Sequence, residues 1–485
     1  MTIRVLSVAS ECAPFVKTGG LADVVGALAK ALADQDVECR VLMPLYRTIA
    51  HLADGAEEVR DFGERHGGGV RVLARREAGV DLLLIDAPHL YDRGGQIYNN
   101  ASGEDWGDNH LRFALLGEVG AAIARGAMPA WRPDVVHAHD WQAGLTPVYG
   151  AQGGSDGAPT ILTIHNVAFQ GVFEKRVMSA LDLDPDGFTA GGYEYFGHVS
   201  FLKGGLTTAD RITTVSPFYA RELLTPEFGM GLEGVLDARR SVLEGILNGI
   251  DTDVWNPADD PAIAASYTSR SLAKKAVNRA ALLDRFGLSD NPEAPVFAVI
   301  SRLSEQKGLD LALLALPGVL DRGARLVLLG SGDPGLQAGF AHLVSRYPGQ
   351  AGAVFGFDEG LAHLIQAGSD AMLVPSRFEP CGLTQLCAMR YGTVPVVCRT
   401  GGLADTVIDA SAAALAAECA TGVLFAPATA DRLYDALDRT MALYADKPVW
   451  RRIVRNGMKH PVGWDSSAAR YAAIYRSLSE GRHDA

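Results

Sequence analysis

The chain has 485 residues, 48% of them hydrophobic and 21% charged, and its 44 Lys and Arg against 57 Asp and Glu give a formal net charge of −13. This is the composition of a globular protein of two or three domains, and its acidic balance argues against nucleic acid as a partner, because binding to phosphate backbones requires a basic face. No apolar run approaches the ~18 residues of a membrane span, and no basic amphipathic segment suggests a membrane surface. The six cysteines form no C-x-x-C pair and the N-terminal apolar stretch is too short for a signal peptide, which predicts a cytoplasmic protein.

Short β-branched runs alternate with helical patterns in the first half of the chain. The apolar run Ile3–Ala9 predicts a buried strand, and apolar residues at helical spacing between Leu21 and Leu32 predict a helix after it. Further strands are predicted at Val37–Met43, Leu82–Ile85, Val135–Ala138, Ile161–Ile164 and Ile212–Val215. This βαβ alternation predicts a doubly wound parallel sheet.

The pattern restarts after the turn-rich segment Asn248–Thr268, so we expect a linker near residues 245–250. A helix is predicted at Lys274–Phe286, followed by strands at Val296–Ile300, Leu326–Leu329, Met372–Val374 and Val394–Val397. The sequence therefore predicts an α/β protein with two doubly wound Rossmann-like domains, 1–245 and 246–455. A C-terminal helical segment, 456–485, is expected to pack back on the first domain. Doubly wound domains bind ligands at the carboxyl ends of their strands, so we expect the two domains to face a cleft lined by strand-to-helix loops.

The string Lys17-Thr-Gly-Gly-Leu-Ala-Asp23 follows the first predicted strand. Its glycines allow backbone amides to approach a ligand, the helix N-terminus favours an anion, and Lys17 adds a full charge. A tight turn with a surface lysine explains the motif equally well by itself, but the position after the first strand favours phosphate binding. Nearly the same string recurs at Thr400-Gly-Gly-Leu-Ala-Asp405, which predicts a similar turn in the second domain.

Two histidine motifs also follow buried strands, His137-Ala-His-Asp-Trp141 and Thr163-Ile-His-Asn166. An H-x-H pair at a strand end is typical of some metal hydrolases, but the later strands end without further ligands, so we do not expect a metal site. Asp140, His165 and Asn166 stay candidates for hydrogen bonds to a polar substrate.

Three loops of the second domain carry candidate groups. The string 330–335 matches G-x-G-x-x-G, but it lacks the acidic residue expected about 20 positions later, which favours a tight turn over a nicotinamide site. Arg302 and Lys307, five residues apart, are placed to grip one diphosphate. Glu379 is expected at the mouth of the site, and residues 382–384 open the next helix, where free amides bind phosphate.

Together these strings resemble a known family. The chain has, in the order found in bacterial glycogen synthases and plant starch synthases (glycosyltransferase family five), the strings K-T-G-G-L-A-D, D-V-V-H-A-H-D-W, T-I-H-N, L-N-G-I-D, S-R-L-x-x-Q-K-G and P-S-R-F-E-P-C-G-L-T-Q-L. The resemblance runs from about residue 3 to residue 478. It implies the GT-B fold and metal-independent transfer of glucose from ADP-glucose to the non-reducing end of an α-1,4-glucan, with retention of configuration and without a cofactor. Glycogen or a malto-oligosaccharide would be the acceptor.

The resemblance also implies roles for residues. Four are implied to be catalytic: Arg302 and Lys307 at the diphosphate, His165 facing the transferred glucose, and Glu379 holding its hydroxyls. The implied contacts to donor phosphate are Lys17, Gly19, Gly20, Cys381, Gly382, Leu383 and Thr384. The implied sugar or acceptor contacts are Asp23, Tyr98, Asp140, Asn166 and Asn248. Related retaining enzymes have a second glutamate eight residues after the first, where this chain has Cys387.

The residues themselves fit this chemistry, since no Ser–His–Asp or Cys–His pairing is evident and no second carboxylate accompanies Glu379 for a double displacement. Two other classes stay open. A sugar phosphorylase on a similar scaffold would carry pyridoxal phosphate on a lysine and show its absorbance. A glucan-binding protein without activity would release no nucleotide from donor and glycogen.

One cysteine is singled out by its surroundings. Cys381 lies near a predicted helix N-terminus and two cations, which favour the thiolate, whereas Glu379 opposes it. We expect Cys381 to be the most readily alkylated of the six cysteines; the alternative is a buried, inert thiol.

Overall fold

The computed structural model describes residues 2–100, 102–154 and 157–483. The chain divides into two compact units, Met1–Asn248 with Trp464–Ala485, and Gly249–Gly463. These limits lie three and eight residues beyond the boundaries at 245 and 455 that the sequence suggested. Across the described residues, no helix combines the length and apolar character needed to cross a membrane.

The first unit is built on a nine-stranded sheet in the order β12-β11-β7-β6-β1-β2-β5-β4-β3, parallel except that β4 runs antiparallel to both its neighbours. A small antiparallel sheet has the order β8-β10-β9. The strands are β1 (Ile3–Val8), β2 (Val37–Pro44), β3 (Glu57–Arg65), β4 (Gly68–Glu77), β5 (Val80–Asp86), β6 (Val135–His139), β7 (Thr160–Ile164), β8 (Val172–Glu174), β9 (Glu194–Tyr195), β10 (His198–Ser200), β11 (Arg211–Thr214) and β12 (Leu243–Gly245).

The second unit has a six-stranded, fully parallel sheet in the order β15-β14-β13-β16-β17-β18. Its strands are β13 (Val296–Ile300), β14 (Arg325–Gly330), β15 (Ala351–Phe355), β16 (Ala371–Val374), β17 (Val394–Cys398) and β18 (Val423–Phe425). The order of strands reverses between β13 and β16, which is where a doubly wound sheet opens a crevice for ligands. The prediction of two doubly wound parallel sheets is confirmed.

Helices cover the sheets. The first unit contains α1 (Gly20–Ala31), α2 (Pro88–Tyr91), α3 (Asn109–Ala124), α4 (Leu145–Gln152), α5 (Phe201–Thr208), α6 (Pro217–Glu222) and α7 (Glu233–Ala238). The second contains α8 (Lys275–Arg285), α9 (Leu309–Leu320), α10 (Pro334–Arg346), α11 (Glu359–Gly368), α12 (Thr384–Arg390), α13 (Gly401–Thr406), α14 (Ala412–Ala416), α15 (Ala430–Ala445) and α16 (Lys447–Lys459). Short 3₁₀ helices lie at Leu32–Gln35, Arg47–Ala53, Trp141–Ala143, Lys175–Leu181, Pro185–Gly187, Arg240–Val242 and Leu272–Lys274.

The last helix, α17 (Asp465–His483), belongs to the first unit although it follows the whole of the second. Tyr471 and Tyr475, four residues apart and so on one helix face, are buried with Trp464 against Val5 of β1 and Val135 of β6. The aromatic residue Trp450, by contrast, lies in the core of the second unit. The C-terminal segment is thus a structural part of the first sheet's covering layer.

Candidate functional site

The loop after β1 is organised by Glu11, a buried carboxylate. It accepts hydrogen bonds from the backbone N–H of Thr18 (2.6 Å) and the hydroxyl of Tyr98 (2.7 Å). Burial, together with the charge of Glu11, raises the pKa of Tyr98 well above its usual value. At the exposed side of this loop, Lys17 pairs with Asp23 at 2.8 Å, each about one-third exposed. Glu11, which the sequence pattern did not single out, thus holds both Tyr98 and the backbone of the loop that carries Lys17.

The buried residue Arg112 of α3 holds the segment that carries Tyr98 in place. Its guanidinium donates to the carbonyl oxygens of Leu90 (3.0 Å) and Ile97 (2.8 Å) and to Oδ1 of Asn109 (2.7 Å). Burial lowers the pKa of Arg112 from its usual value. Because these acceptors include the carbonyl next to Tyr98, Arg112 fixes the position of the tyrosine.

Asp140 and His165 lie together at the ends of the neighbouring strands β6 and β7. Asp140 is buried with φ +55°, and its Oδ1 accepts the backbone N–H of His165 at 2.7 Å. Burial raises the pKa of Asp140 to about 7, although the N–H groups of His165 and Asn166 oppose the shift. Burial also lowers the pKa of His165 to about 3, so this ring is neutral.

Asn248, the last residue of the first unit before the division, is also buried. Its Oδ1 has no hydrogen-bond partner in the part of the chain that the structure describes. A buried, unpaired amide oxygen costs about 1–3 kcal/mol, so it is a polar group available to a bound molecule.

In the second unit Lys307 and Glu379 meet. The first lies in the loop after β13 and the second in the loop after the neighbouring strand β16. Lys307 Nζ donates to Glu379 Oε2 at 2.6 Å, and the buried hydroxyl of Ser376 donates to the same oxygen at 2.8 Å. The side chain of Glu379 is 9% exposed and that of Lys307 is 21% exposed. The carboxylate is thus charge-paired and hydrogen-bonded, but reachable from one side.

Arg377 fastens these two loops together. It forms a bidentate ion pair with Asp310 of α9, both distances being 2.7 Å, and donates to the carbonyl of Glu305. These contacts hold the pKa of Asp310 below its usual range. Gly308, with φ +66°, lies so close to Pro375 that a β-carbon would overlap the carbonyl oxygen of Pro375. The loops of Lys307 and Glu379 therefore form one packed body.

The other predicted groups of this unit surround that body. Arg302 is exposed and makes no ion pair with any residue the structure describes. Gly382 has φ +71°, and α12 begins at Thr384 directly after Leu383. In the match to G-x-G-x-x-G, β-carbons at Gly330 and Gly332 would overlap carbonyl oxygens of the loop after β13, so these glycines allow two loops to touch. The expected high reactivity of Cys381 is not supported, because its side chain is buried whereas Cys419 is exposed.

The comparisons with known proteins agree with each other. Residues 4–238 match the starch synthase catalytic domain, and residues 283–460 match the glycosyl transferases group 1 family. A glycogen synthase of Roseobacter denitrificans is 56% identical over 99% of this chain and 100% of its own length. One from Rhodopseudomonas palustris is 54% identical over 98% of this chain and 99% of its own. The catalytic domain of Arabidopsis thaliana starch synthase IV, solved with ADP and acarbose, superposes with a TM-score of 0.88 at 31% identity, covering 99% and 100% of the two chains.

The chain belongs to the glycogen synthase and starch synthase family of glycosyltransferases. The resemblance inferred from the sequence motifs is confirmed, and with it the GT-B class of fold. The chain is a glycosyltransferase, and its similarity to glycogen synthases extends over their full length.

In this glycosyltransferase, the position eight residues after Glu379 lies in an apolar environment. Cys387 on α12 is buried in an apolar cluster with Ile250, Leu386 and Met389. A glutamate there would be placed among apolar side chains. Over the described residues, no three His, Cys, Asp or Glu side chains are arranged to hold a metal ion.

Proposed function

We propose that this glycosyltransferase transfers glucose from ADP-glucose to the non-reducing end of an α-1,4-glucan, with retention of configuration. The proposal is supported by the glycogen synthases it resembles and by the starch synthase solved with ADP. The single observation that carries it is the pairing of Lys307 with Glu379 at 2.6 Å, because it joins a cation suited to a leaving phosphate and an anion suited to a sugar cation.

In the proposed reaction, the bond from C1 of glucose to the diphosphate oxygen breaks and a bond from C1 to the acceptor oxygen forms on the same face. Negative charge grows on the diphosphate as it leaves, and we assign Lys307 and Arg302 to stabilise it. Arg302 forms no ion pair among the described residues, so its guanidinium group is available for bidentate binding to a phosphate. The acceptor's proton passes to an oxygen of the leaving phosphate, which balances the step without a protein base.

Glu379 is assigned to the hydroxyls of the transferred glucose and to the positive charge that develops at C1. Its hydrogen bonds from Lys307 and Ser376 occupy one oxygen, Oε2, and no other described residue donates to Oε1. In the first unit we assign His165 to the same glucose. Lys17 and the backbone of Gly19 and Gly20 are assigned to donor phosphate.

The remaining predicted residues are assigned by the environments described above. Asp23, Tyr98, Asp140, Asn166 and Asn248 are proposed to contact glucose or acceptor, and Cys381, Gly382, Leu383 and Thr384 donor phosphate, through backbone groups where the side chain is buried. We also propose that the reaction needs no metal ion and no cofactor. A cytoplasmic location is proposed because none of the six cysteines, all of which lie in the described part of the chain, forms a disulfide.

The decisive experiment measures nucleotide release from ADP-glucose and from UDP-glucose, each with and without glycogen and with a chelator in parallel. We expect ADP release that requires glycogen and persists in the chelator, and an α configuration at the new linkage by NMR. Release that is independent of glycogen, or abolished by the chelator, would contradict the proposal. Arg302→Ala should lose activity while Arg451→Ala, an exposed arginine of the same unit, keeps it.

A further inference from the structure

Three histidines lie side by side in the first unit, and the proposed function uses only His165. His137 and His139 lie on β6, each 1% exposed, with ring centroids 4.1 Å apart. Burial lowers the pKa of His137 to about 3 and that of His139 well below its usual value. Each of the three rings is therefore neutral at physiological pH and carries a single N–H, on one of its two nitrogens.

A chain of hydrogen bonds crosses three adjacent strands and ends at His165. Ser7 Oγ of β1 lies 3.1 Å from His139 Nε2, and His139 Nδ1 lies 3.0 Å from His165 Nε2. The strands β1, β6 and β7 are consecutive in the sheet. Both nitrogens of His139 are thus occupied, and its neighbour on each side is a group that can donate or accept.

The hydroxyl of Ser7 determines which group donates and which accepts in each of these hydrogen bonds. The side chain of Ser7 is buried, and His139 is the single hydrogen-bond partner of its hydroxyl among the described residues. A buried hydroxyl with one available acceptor donates to it, because a buried donor left unpaired is costly. Nε2 of His139 then accepts, so its proton lies on Nδ1 and is donated to Nε2 of His165. His165 in turn carries its own proton on Nδ1, which has no partner among the described residues.

We propose that Ser7 and His139 are positioning residues that fix His165 as a hydrogen-bond donor, through Nδ1, to a hydroxyl oxygen of the transferred glucose. Neither residue touches the substrate in this proposal, which rests on the proposed role of His165. Without them the ring of His165 can place its proton on either nitrogen, and the form with a bare Nδ1 cannot donate to the sugar.

His137 supplies a matched control, because it is equally buried and equally hydrogen-bonded but lies outside this chain. Its Nδ1 is 2.8 Å from the hydroxyl of Tyr475, and its Nε2 is 2.5 Å from Oγ1 of Thr163. Tyr475→Phe therefore removes one hydrogen bond from a buried histidine of the same strand without changing the partners of His139 or His165.

The experiment combines kinetics with the ring nitrogen shifts of ¹⁵N-histidine-labelled enzyme, with His165 assigned through His165→Gln. We expect His165 to carry its proton on Nδ1 in the wild type, and the Nε2–H form to appear in Ser7→Ala and His139→Leu. The kcat should fall ~10-fold in Ser7→Ala and ~100-fold in His139→Leu, with KM for ADP-glucose within ~2-fold. His139→Asn should recover part of the loss, because its amide can donate from the position of Nδ1. Tyr475→Phe should keep the kcat.

The proposal is overturned if wild-type His165 carries its proton on Nε2, or if Ser7→Ala loses no more kcat than Tyr475→Phe. Ser7→Ala is the smaller change and keeps the test meaningful if His139→Leu does not fold. The ring nitrogen spectrum requires no turnover, so it tests the proton's position even if the wild type fails to release ADP with glycogen, in which case the proposed function fails instead.

Discussion

The same six residues, Thr-Gly-Gly-Leu-Ala-Asp, form the turn after β1 in the first unit and the turn after β17 in the second, and the two turns use their glycines differently. A β-carbon on Gly19 would meet no atom within 4 Å, and residues 17–20 are exposed. The second pair, Gly401 and Gly402, is buried, and their β-carbons would overlap the carbonyl oxygens of Glu379 and Cys381. We call these the open turn and the closed turn.

One motif can thus leave room for a ligand beside its glycines or let another part of the chain pack against them. In the open turn the space above the glycine is empty, as a site for a ligand requires. In the closed turn the space is filled by the chain itself, since the N–H of Gly402 donates to the carbonyls of Glu379 (3.0 Å) and Pro380 (3.1 Å). The closed turn therefore supports the loop that carries Glu379, and four predictions test this contrast.

The largest difference is expected between the losses of kcat on substitution of Lys307 and of Lys17, the lysines near the closed and the open turn. Lys307→Met removes the cation beside the carboxylate that the closed turn supports, so kcat should fall by about 10²–10³-fold. Lys17→Met removes an exposed lysine of the open turn, and a loss of about 10-fold is expected because water and salt screen its charge. Steady-state ADP release measures both, with exposed Lys274→Met as the control. Equal losses at Lys17 and Lys307 would contradict the contrast.

Substitution of Gly401 should lower the stability of the protein, whereas substitution of Gly19 should affect mainly its activity. Gly401→Ala has no room and a φ of +44°, so it should lower the free energy of unfolding by about 2–4 kcal/mol and displace Glu379. Gly19→Ala has room and an extended φ of −162°, so unfolding should change by no more than about 1 kcal/mol.

Urea unfolding and KM for ADP-glucose, measured on both variants, test this. Gly19→Ala should raise KM while the protein stays stable, because the new methyl group enters the space proposed for phosphate. A stable, fully active Gly401→Ala would show that the closed turn does not support Glu379.

The buried carboxylates Glu379 and Asp140, one in each unit, should differ in how they make stability depend on pH. Glu379 has Lys307 beside it, whereas Asp140 accepts from backbone N–H groups, and burial raises the pKa of Asp140 to about 7. Between pH 4 and 7 the folded state therefore binds this proton more tightly than the unfolded state, so Asp140 makes the protein less stable as pH rises through that range. Asp140→Asn removes the effect and should gain stability over the wild type by up to about 1.4 kcal/mol per pH unit.

Urea unfolding at pH 5.5, 6.5 and 7.5 measures this gain. Asp36→Asn is the control, since Asp36 is exposed and has a similar positive φ of +57°. Parallel pH profiles for wild type and Asp140→Asn would refute the prediction.

The smallest expected effect is a difference in how fast a reagent alkylates two of the cysteines. Because the closed turn packs on the backbone of Cys381 and its side chain is buried, iodoacetamide should modify the exposed Cys419 first in the folded protein. Mass spectrometry of the peptides follows both sites over time. Modification of Cys381 before Cys419 would show that its loop opens.

The sequence predicted the fold well where burial is continuous. Strands such as β6 and β14 are buried at every residue, so their apolar runs were recognised within one or two residues of their ends. Strand β3 was missed because its residues are mostly exposed and polar, so neither an apolar run nor an alternation marks it. The division of the aromatic residues near the C-terminus, Trp450 to one core and Tyr471 to the other, depends on tertiary packing that no local pattern contains.

The site was predictable residue by residue, but not as a network. Motif spacing identified Lys307 and Glu379, and neighbouring parallel strands bring their loops together. Glu11 was missed although it is a charged residue only three positions after the buried strand β1, a signal that could have identified it. The H-x-H motif drew attention to His139 but not to its partner Ser7, because their hydrogen bond joins residues over a hundred positions apart in sequence.

Helix α17 completes the first unit late in protein synthesis. The helix that covers β1 and β6 is translated after the 215 residues of the second unit, Gly249–Gly463. At roughly 5–20 residues per second, a ribosome takes roughly 10–40 s to synthesise them. During that interval the nascent first unit exposes the apolar surface that Trp464, Tyr471 and Tyr475 later cover, while the second unit is already emerging. The first unit, although it is synthesised first, is therefore completed only after the second unit has been translated, and this apolar surface stays uncovered until then.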